Sequence, residues 1–118
     1  MTARLLAVLI MLAGGSAHAA PEWAGYWAVD RAWCANIGVM GTLEKPIYLA
    51  DTEISGIEAT CDIVNHEEGP VKGSFVLETY CAADTDPFEE TIILLKGEKD
   101  QLYLYREGGL LVTLQRCR

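Results

Sequence analysis

The sequence predicts an all-β fold, a small antiparallel meander of about seven strands that closes into a barrel or a flattened sandwich. Beyond its first twenty residues, the chain is a series of short apolar stretches separated by turn residues. Two of these stretches alternate apolar and polar residues with a period of two, which is typical of strands with one buried face. Closing the sheet would leave no unpaired edge strand, so a barrel is the natural architecture.

The first two strands flank one short helix. The aromatic-rich segment 23–29 predicts strand one, and Asp30 can then N-cap a short helix over residues 31–36. Residues 46–50 predict a short second strand, because a proline is tolerated at the first position of a strand. Aromatic side chains dominate small cores, so the tryptophans are expected to fill the barrel, with an aromatic ligand platform as the alternative. They are Trp23, Trp27 and Trp33.

The next two strands are marked by alternation. Residues 57–63 and 75–81 alternate apolar with polar side chains, which predicts one buried and one solvated face in each strand. A polar turn is expected between them over residues 66–70. Residues 82–87 are expected to form a loop after the second of these strands.

The last part of the chain predicts three more strands. The apolar run 91–95 is expected to be a strand covered on both faces, and a turn follows over residues 97–100. Residues 102–105 alternate again, and residues 110–115 predict the final strand. A tight hairpin over residues 107–109 joins them, because its two glycines supply the positive φ angles that such turns need.

The N-terminus is interpreted as an export signal. Arg4 gives a basic start, residues 5–12 an apolar core, and residues 17–19 a small-x-small cleavage site. The apolar run is too short to span a bilayer comfortably. We therefore expect a cleaved signal peptide over residues 1–19 and a single disulfide-stapled β domain over residues 20–118. This domain would lie in the periplasm or be secreted, and would not bind a membrane after cleavage.

The chain is strongly acidic. It carries 17 Asp and Glu against nine Lys and Arg, a net charge of −8, and loss of Arg4 with the leader makes the mature charge −9. So negative a chain disfavours nucleic acid and anionic membranes, which are bound through lysine and arginine. It favours a basic protein partner through long-range steering, although solubility alone is the simpler explanation.

The four cysteines predict two disulfides. An exported domain of this size is commonly braced in this way, and four cysteines allow three pairings. In a seven-stranded meander, strands one and seven finish at the same end of the barrel, and the strands that carry the middle cysteines are neighbours. Because bridged Cα atoms must lie within about 7 Å, this topology favours Cys34 with Cys117 and Cys61 with Cys81.

Catalytic devices are sparse. His66 is the only histidine after the leader, and the chain contains neither a G-x-S-x-G elbow nor a C-x-x-C motif. We therefore expect no enzymatic activity and no cofactor. The best calcium candidate is the acidic segment Asp84, Asp86, Glu89 and Glu90. It lacks the spacing and the glycine of an EF-hand, so a solvated turn is the simpler interpretation and no metal site is assigned.

Binding is the more economical class of function. Tyr80, Tyr103 and Tyr105 fall on the polar faces of predicted strands, with the acidic segment nearby. Tyrosine is enriched at interfaces because it brings contact area and a hydroxyl group at low entropic cost. These tyrosines and the acidic segment are the candidate binding residues, and ordinary cross-strand packing of the tyrosines is the alternative.

The order of several residues resembles that of known proteins. The residues that carry the resemblance are Gly25-Tyr26-Trp27, Cys34, Pro46-Ile47, Ile57-x-x-x-Cys61, Cys81 and the terminal Cys117. In this arrangement the chain resembles small periplasmic four-cysteine proteins of Gram-negative bacteria, which implies a secreted β domain. It is more distantly similar to the periplasmic or membrane-bound inhibitors of c-type lysozyme, signal-bearing β-barrels with a cysteine near the C-terminus. It lacks their Ser-Gly-x-x-Tyr loop and a lipobox cysteine, so no inhibitory residue is carried over.

Three functions are consistent with these features. The first is a non-enzymatic periplasmic or secreted domain that binds a basic protein, for which a lysozyme is the sharpest candidate because c-type lysozymes are generally basic. The second is a calcium-dependent or calcium-stabilised hydrolase centred on the acidic segment. The third is a structural envelope protein without a specific ligand.

Overall fold

The computed structural model describes residues 19–56, 60–82 and 86–118. In this part of the chain, eight antiparallel strands form a closed barrel in which each strand pairs with its neighbours in sequence and β1 pairs with β8. One 3₁₀ helix, Arg31–Asn36, follows the first strand. The strands are β1 (Gly25–Ala28), β2 (Ile47–Leu49), β3 (Glu53–Ser55), β4 (Thr60–Glu68), β5 (Ser74–Ala82), β6 (Phe88–Lys96), β7 (Gln101–Tyr105) and β8 (Leu111–Arg116). The predicted fold class, an all-β antiparallel meander with one short helix after strand one, is confirmed.

The short helix begins where the sequence predicts. Asp30 has an extended backbone, and its carboxylate accepts a hydrogen bond of 2.9 Å from the amide of Ala32, which is the arrangement of an N-cap. At the last residue of the helix, the side-chain amide of Asn36 donates to the carbonyl of Glu44 at 2.7 Å. This bond ties the end of the helix to the segment that leads into β2.

The sequence did not predict β3. Of its three residues only Ile54 is buried, so neither an alternation nor an apolar run marks this strand. It becomes a strand through its neighbours, since Ile54 lies opposite Leu49 of β2 and opposite Cys61 of β4. The barrel therefore has eight strands among the described residues rather than about seven.

The hairpin between β4 and β5 is longer than expected. The predicted turn over residues 66–70 is partly wrong, because β4 continues to Glu68, which lies opposite Phe75 of β5. The chain leaves the ladder at Gly69, whose amide donates to the carbonyl of Ser74 at 2.9 Å. Polar side chains continue as a strand here because residues 65–68 all have partners on β5 in the antiparallel ladder.

Strand β6 is covered on one face only. Ile92 and Leu94 point into the barrel and are 1% and 0% exposed, whereas Ile93 points outward and is 42% exposed. The prediction of a strand covered on both faces is therefore wrong, and the apolar run places Ile93 and the half-buried Leu95 on the outer face. The strand also begins earlier, at Phe88, so that Glu89 and Glu90 belong to it.

The barrel interior is filled with side chains. An eight-stranded barrel is just wide enough for inward side chains to pack against one another. Trp23 and Trp27 belong to this core, and the indole N–H of Trp27 donates to the carbonyl of Trp23 at 2.9 Å. Trp33 on the helix is only half-buried and lies outside the core, so two rather than three tryptophans fill the barrel. The largest fully buried side chains are Leu49, Ile54, Leu77, Ile92, Leu94, Leu102 and Leu114.

Both disulfides join the cysteines that the sequence pairs. Cys61 and Cys81 lie directly opposite each other on β4 and β5, with Cα atoms 3.9 Å apart. Cys34 and Cys117 have Cα atoms 5.4 Å apart. The sequence argument for this second pair was that the first and last strands finish at the same end of the barrel. That argument does not hold, because in an eight-stranded barrel β8 finishes beside the beginning of β1. The pair forms instead because Cys34 lies on the helix, which brings it to the end of β8.

Candidate functional site

The outer face of β5 to β8 carries a row of apolar side chains. The strand register places Val76 opposite Ile93, Ile93 opposite Tyr105, and Tyr105 opposite Leu111, and residues opposite each other share a face. We call these four residues the apolar row. Ile93, Tyr105 and Leu111 are 42%, 38% and 48% exposed, and Val76 is half-buried. Each of four consecutive strands thus contributes one apolar side chain to a continuous line.

A second row extends this surface. Leu95 lies opposite Tyr103, and Tyr103 lies opposite Thr113. The Tyr103 hydroxyl donates to the side-chain oxygen of Gln101 at 3.1 Å, and both side chains are half-buried. Tyr103 is therefore held in place within the sheet surface, while Tyr105 of the same strand stands in the more exposed row.

Carboxylates lie beside the apolar row. Glu67 is opposite Val76 at one end of it. The next row holds Glu78, which accepts a bond of 2.9 Å from the Thr91 hydroxyl, and Glu107, which accepts a bond of 3.2 Å from the Thr91 amide. Each of these three carboxylate side chains is exposed.

Tyr80 lies further along the same face, between two more carboxylates. It is 45% exposed and sits opposite Asp62 on one side and Glu89 on the other. The predicted association of Tyr80 with acidic residues is thus present for Glu89. We call the five outward carboxylates the acidic border: Asp62, Glu67, Glu78, Glu89 and Glu107.

The charge on this face is one-sided. Within the described residues, no member of the acidic border forms an ion pair. Strands β4 to β8 are described in full, and their only lysine and arginine residues are Lys96 and Arg116, which line one end of the barrel. The outer face of these strands is therefore apolar in part, negative in part, and without a basic side chain of its own.

Glu90 has a different role from the one that its place in the acidic segment suggests. It points into the barrel, is 7% exposed, and accepts bonds of 2.8 and 2.7 Å from Nε and Nη2 of Arg106. The Thr79 hydroxyl also donates to its main-chain carbonyl at 2.6 Å. Its carboxylate is neutralised inside the barrel, so Glu90 does not belong to an exposed acidic cluster.

The rest of the acidic segment is described only in part. Asp84 lies outside them, and Asp86 is an exposed residue between β5 and β6. Among the described residues, no three carboxylate, histidine or cysteine side chains come close enough together to hold a metal ion. His66 is an exposed strand residue whose ring meets Trp23 edge to face at 5.4 Å.

The sequence missed the aliphatic members of the apolar row. The alternation in residues 75–81 places Val76 on the outward face but predicts no binding role for it, and the sequence predicts no surface position for Ile93 or Leu111. One signal was available. Successive side chains of a strand point to opposite faces, so if Ile92 and Leu94 point into the barrel, Ile93 between them must point outward. That this residue meets Tyr105 depends on the strand register, which adjacent residues do not encode.

No protein-family model, no curated protein and no solved structure matches this chain. In the described part of the chain, no helix is long and apolar enough to span a bilayer.

Proposed function

We propose that this protein is an exported, non-enzymatic binding domain whose outer β4–β8 face docks onto a basic protein. The observation that carries the proposal is the apolar row bordered by carboxylates that form no ion pair within the described residues. An interface of this kind combines an apolar centre, which provides affinity when it is desolvated, with a charged rim, which provides steering and specificity.

The disulfides and the predicted leader support an oxidising compartment. Two disulfides brace the described chain, and such bonds persist in oxidising compartments. Together with the predicted signal peptide, they support the periplasm or the extracellular space as the place of action. There the negative outer face would attract a positively charged protein surface over a distance of about one Debye length, ~8 Å at physiological ionic strength.

A lysozyme of the c-type is the sharpest version of the partner, because those enzymes are generally basic. Isothermal titration of the oxidised protein with lysozyme at low and at moderate salt tests it directly. We expect heat of binding at low salt and a weaker affinity at moderate salt, since the acidic border is exposed and therefore screened. An absence of heat, or an affinity indifferent to salt, would remove lysozyme as the partner.

Two matched variants locate the interface. Ile93→Lys places a cation in the centre of the apolar row, whereas Val71→Lys makes the same change at a 61%-exposed valine in the turn between β4 and β5. Disrupting a residue at the centre of an interface typically costs more than about 1.4 kcal/mol of binding free energy. Ile93→Lys should therefore weaken binding about tenfold or more. Equal effects of the two variants would mean that the partner responds to net charge and that the outer face is not the interface.

A further inference from the structure

A pocket of about 350 Å³ lies at the end of the barrel where β1 begins and β8 finishes. Its size falls within the range of small-molecule sites, and the mouth of a β-barrel is a common place for one. Trp23 and Trp27 form its floor, with Phe75 and Leu102 beside them. This floor is apolar, and the rim above it is made of charged side chains.

Arg116 is the best-fixed side chain of the rim. Its Nη1 donates to the carbonyl of Ala24 at 2.9 Å and its Nη2 to the carbonyl of Glu22 at 2.6 Å. The guanidinium carbon lies 4.3 Å from the ring centroid of Trp27. The guanidinium is thus held in one place by two carbonyls and one aromatic ring, none of which carries a formal charge.

The Gly25-Tyr26-Trp27 motif builds this seat. Gly25 has a φ of +132°, and a Cβ atom at this position would lie 3.0 Å from Nη1 of Arg116. Glycine therefore leaves room for the guanidinium, while Trp27 supplies the ring on which it lies. The arginine is preorganised before any ligand arrives, which lowers the ordering cost of binding.

The charges around the pocket do not balance. Lys96 pairs with Glu22 at 3.4 Å and Arg118 donates two hydrogen bonds to Asp100, so the two carboxylates of the rim each have a cation. Arg116 remains as a cation without a carboxylate partner among the described residues. The lining of this pocket thus carries three cations against two carboxylates, in a chain of net charge −8.

An adjoining pocket of about 300 Å³ increases the excess. It shares Asp100, Arg116 and Arg118 with the first pocket and adds Arg31 from the helix. Arg31 also forms no ion pair within the described residues. The basic end, as we call it, comprises Arg31, Lys96, Arg116 and Arg118, which are four of the eight basic residues that follow the leader.

We propose that the basic end binds a small organic anion, with its carboxylate or phosphate oxygens on the guanidinium groups and its nonpolar part toward the tryptophan floor. Arginine recognises such oxyanions through paired, charge-assisted hydrogen bonds. The volume of the pocket leaves room for an organic part beside the charged group. This site is separate from the outer β4–β8 face, and it would take a ligand of the opposite charge.

The tryptophans themselves report on the site. In ¹⁵N-labelled oxidised protein, titration with benzoate or phenyl phosphate should shift the indole N–H signals of Trp23 and Trp27 to saturation. The signal of Trp33, which lines neither pocket, should stay in place. Benzyl alcohol and benzylammonium have the same ring without the negative charge and should leave all three signals unmoved.

These probes test separately whether the site exists and whether its ligand is an organic anion. No saturable shift with either organic anion would overturn the site, and so would equal shifts with benzyl alcohol. Inorganic phosphate that binds as tightly as phenyl phosphate would overturn the assignment to an organic anion.

A pair of lysine variants tests whether the contact is local. Lys96→Gln removes a cation from the pocket rim, and Lys45→Gln removes the same charge from the segment before β2, at a residue that lines neither pocket. We expect Lys96→Gln to weaken benzoate binding about three- to tenfold, and Lys45→Gln to change it less than about twofold. Equal losses in both variants would overturn the site, because they would reflect net charge alone. These variants keep Arg116, which also anchors the N-terminal segment and whose replacement could unfold the barrel end.

Discussion

The ion pair between Arg106 and Glu90 gives the sharpest stability prediction. Arg106→Met removes both hydrogen bonds to a carboxylate that is 7% exposed, and leaves that carboxylate buried without its cation. Breaking a buried pair in this way costs about 3–5 kcal/mol. The Arg106 side chain is 27% exposed, so water can reach the position that it leaves. We therefore expect the free energy of unfolding to fall by about 3 kcal/mol, the lower end of this range. For a domain of this size, that corresponds to a fall of about 12–24 °C in Tm.

Urea denaturation of the oxidised protein measures this loss as a shift of the midpoint at constant m value. Glu89→Gln is the matched control, since it changes the neighbouring exposed carboxylate and should alter the free energy of unfolding by less than about 0.5 kcal/mol. The double variant Arg106→Met with Glu90→Leu should be more stable than Arg106→Met alone, because no buried charge is then left unpaired. The reasoning is refuted if Arg106→Met costs less than about 1 kcal/mol, or if the double variant is no better than the single one.

Three further predictions concern other parts of the barrel. Leu77→Ala empties a position that is 0% exposed and should cost about 3–5 kcal/mol in urea unfolding, while Leu43→Ala at a 91%-exposed position should cost under about 0.5 kcal/mol. Replacing both Cys34 and Cys117 by alanine opens a loop with a sequence separation of 83 and should lower stability by about 4–5 kcal/mol in the same assay. The hydrogen bond from Arg118 lowers the pKa of Asp100 in the folded protein. The pair therefore stabilises the fold fully above the pKa of the unfolded carboxyl, about 3.9. This stabilisation is lost as the pH falls through the lower pKa of the folded state. Asp100→Asn should therefore be less stable than the parent at pH 7, and the difference in midpoint should disappear at acid pH; a difference that persists below pH ~2 would contradict the assignment.

The elements that sequence reasoning found are those that local alternation specifies. Residues 77–81 alternate between buried and exposed positions, and the observed β5 contains all of the predicted segment 75–81. The Asp30 cap also depends on adjacent residues and was found. By contrast, β3 has a single buried residue, Ile54, and is a strand only because β2 and β4 lie on either side of it. No window of sequence contains that information, because the hydrogen bonds that make the strand come from other parts of the chain.

The candidate sites were harder to predict for a related reason. The sequence predicts Tyr105 as a binding residue, but its neighbour Ile93 is 12 positions away and joins it only through the register of β6 and β7. Glu90 was grouped with the acidic residues next to it in sequence, whereas its partner Arg106 is 16 positions further on. Which residues share a site depends on which residues pair across strands. The pattern of charges along the chain does not determine that pairing.

The direction of the strands explains why the two proposed sites carry opposite charge. Lys96 is the last residue of β6 and Arg116 the last residue of β8, and in an up-and-down barrel these two strands run in the same direction, so both cations reach the same end. The outward positions of β4 to β8 hold carboxylates and apolar side chains, so the negative charge remains on the side of the barrel. The two surfaces share no residue. Each ligand should therefore bind with an affinity that the other leaves nearly unchanged, since coupling requires a state that both ligands bias. Ile93→Lys, which should weaken docking of a basic protein about tenfold or more, should leave benzoate binding at the basic end intact.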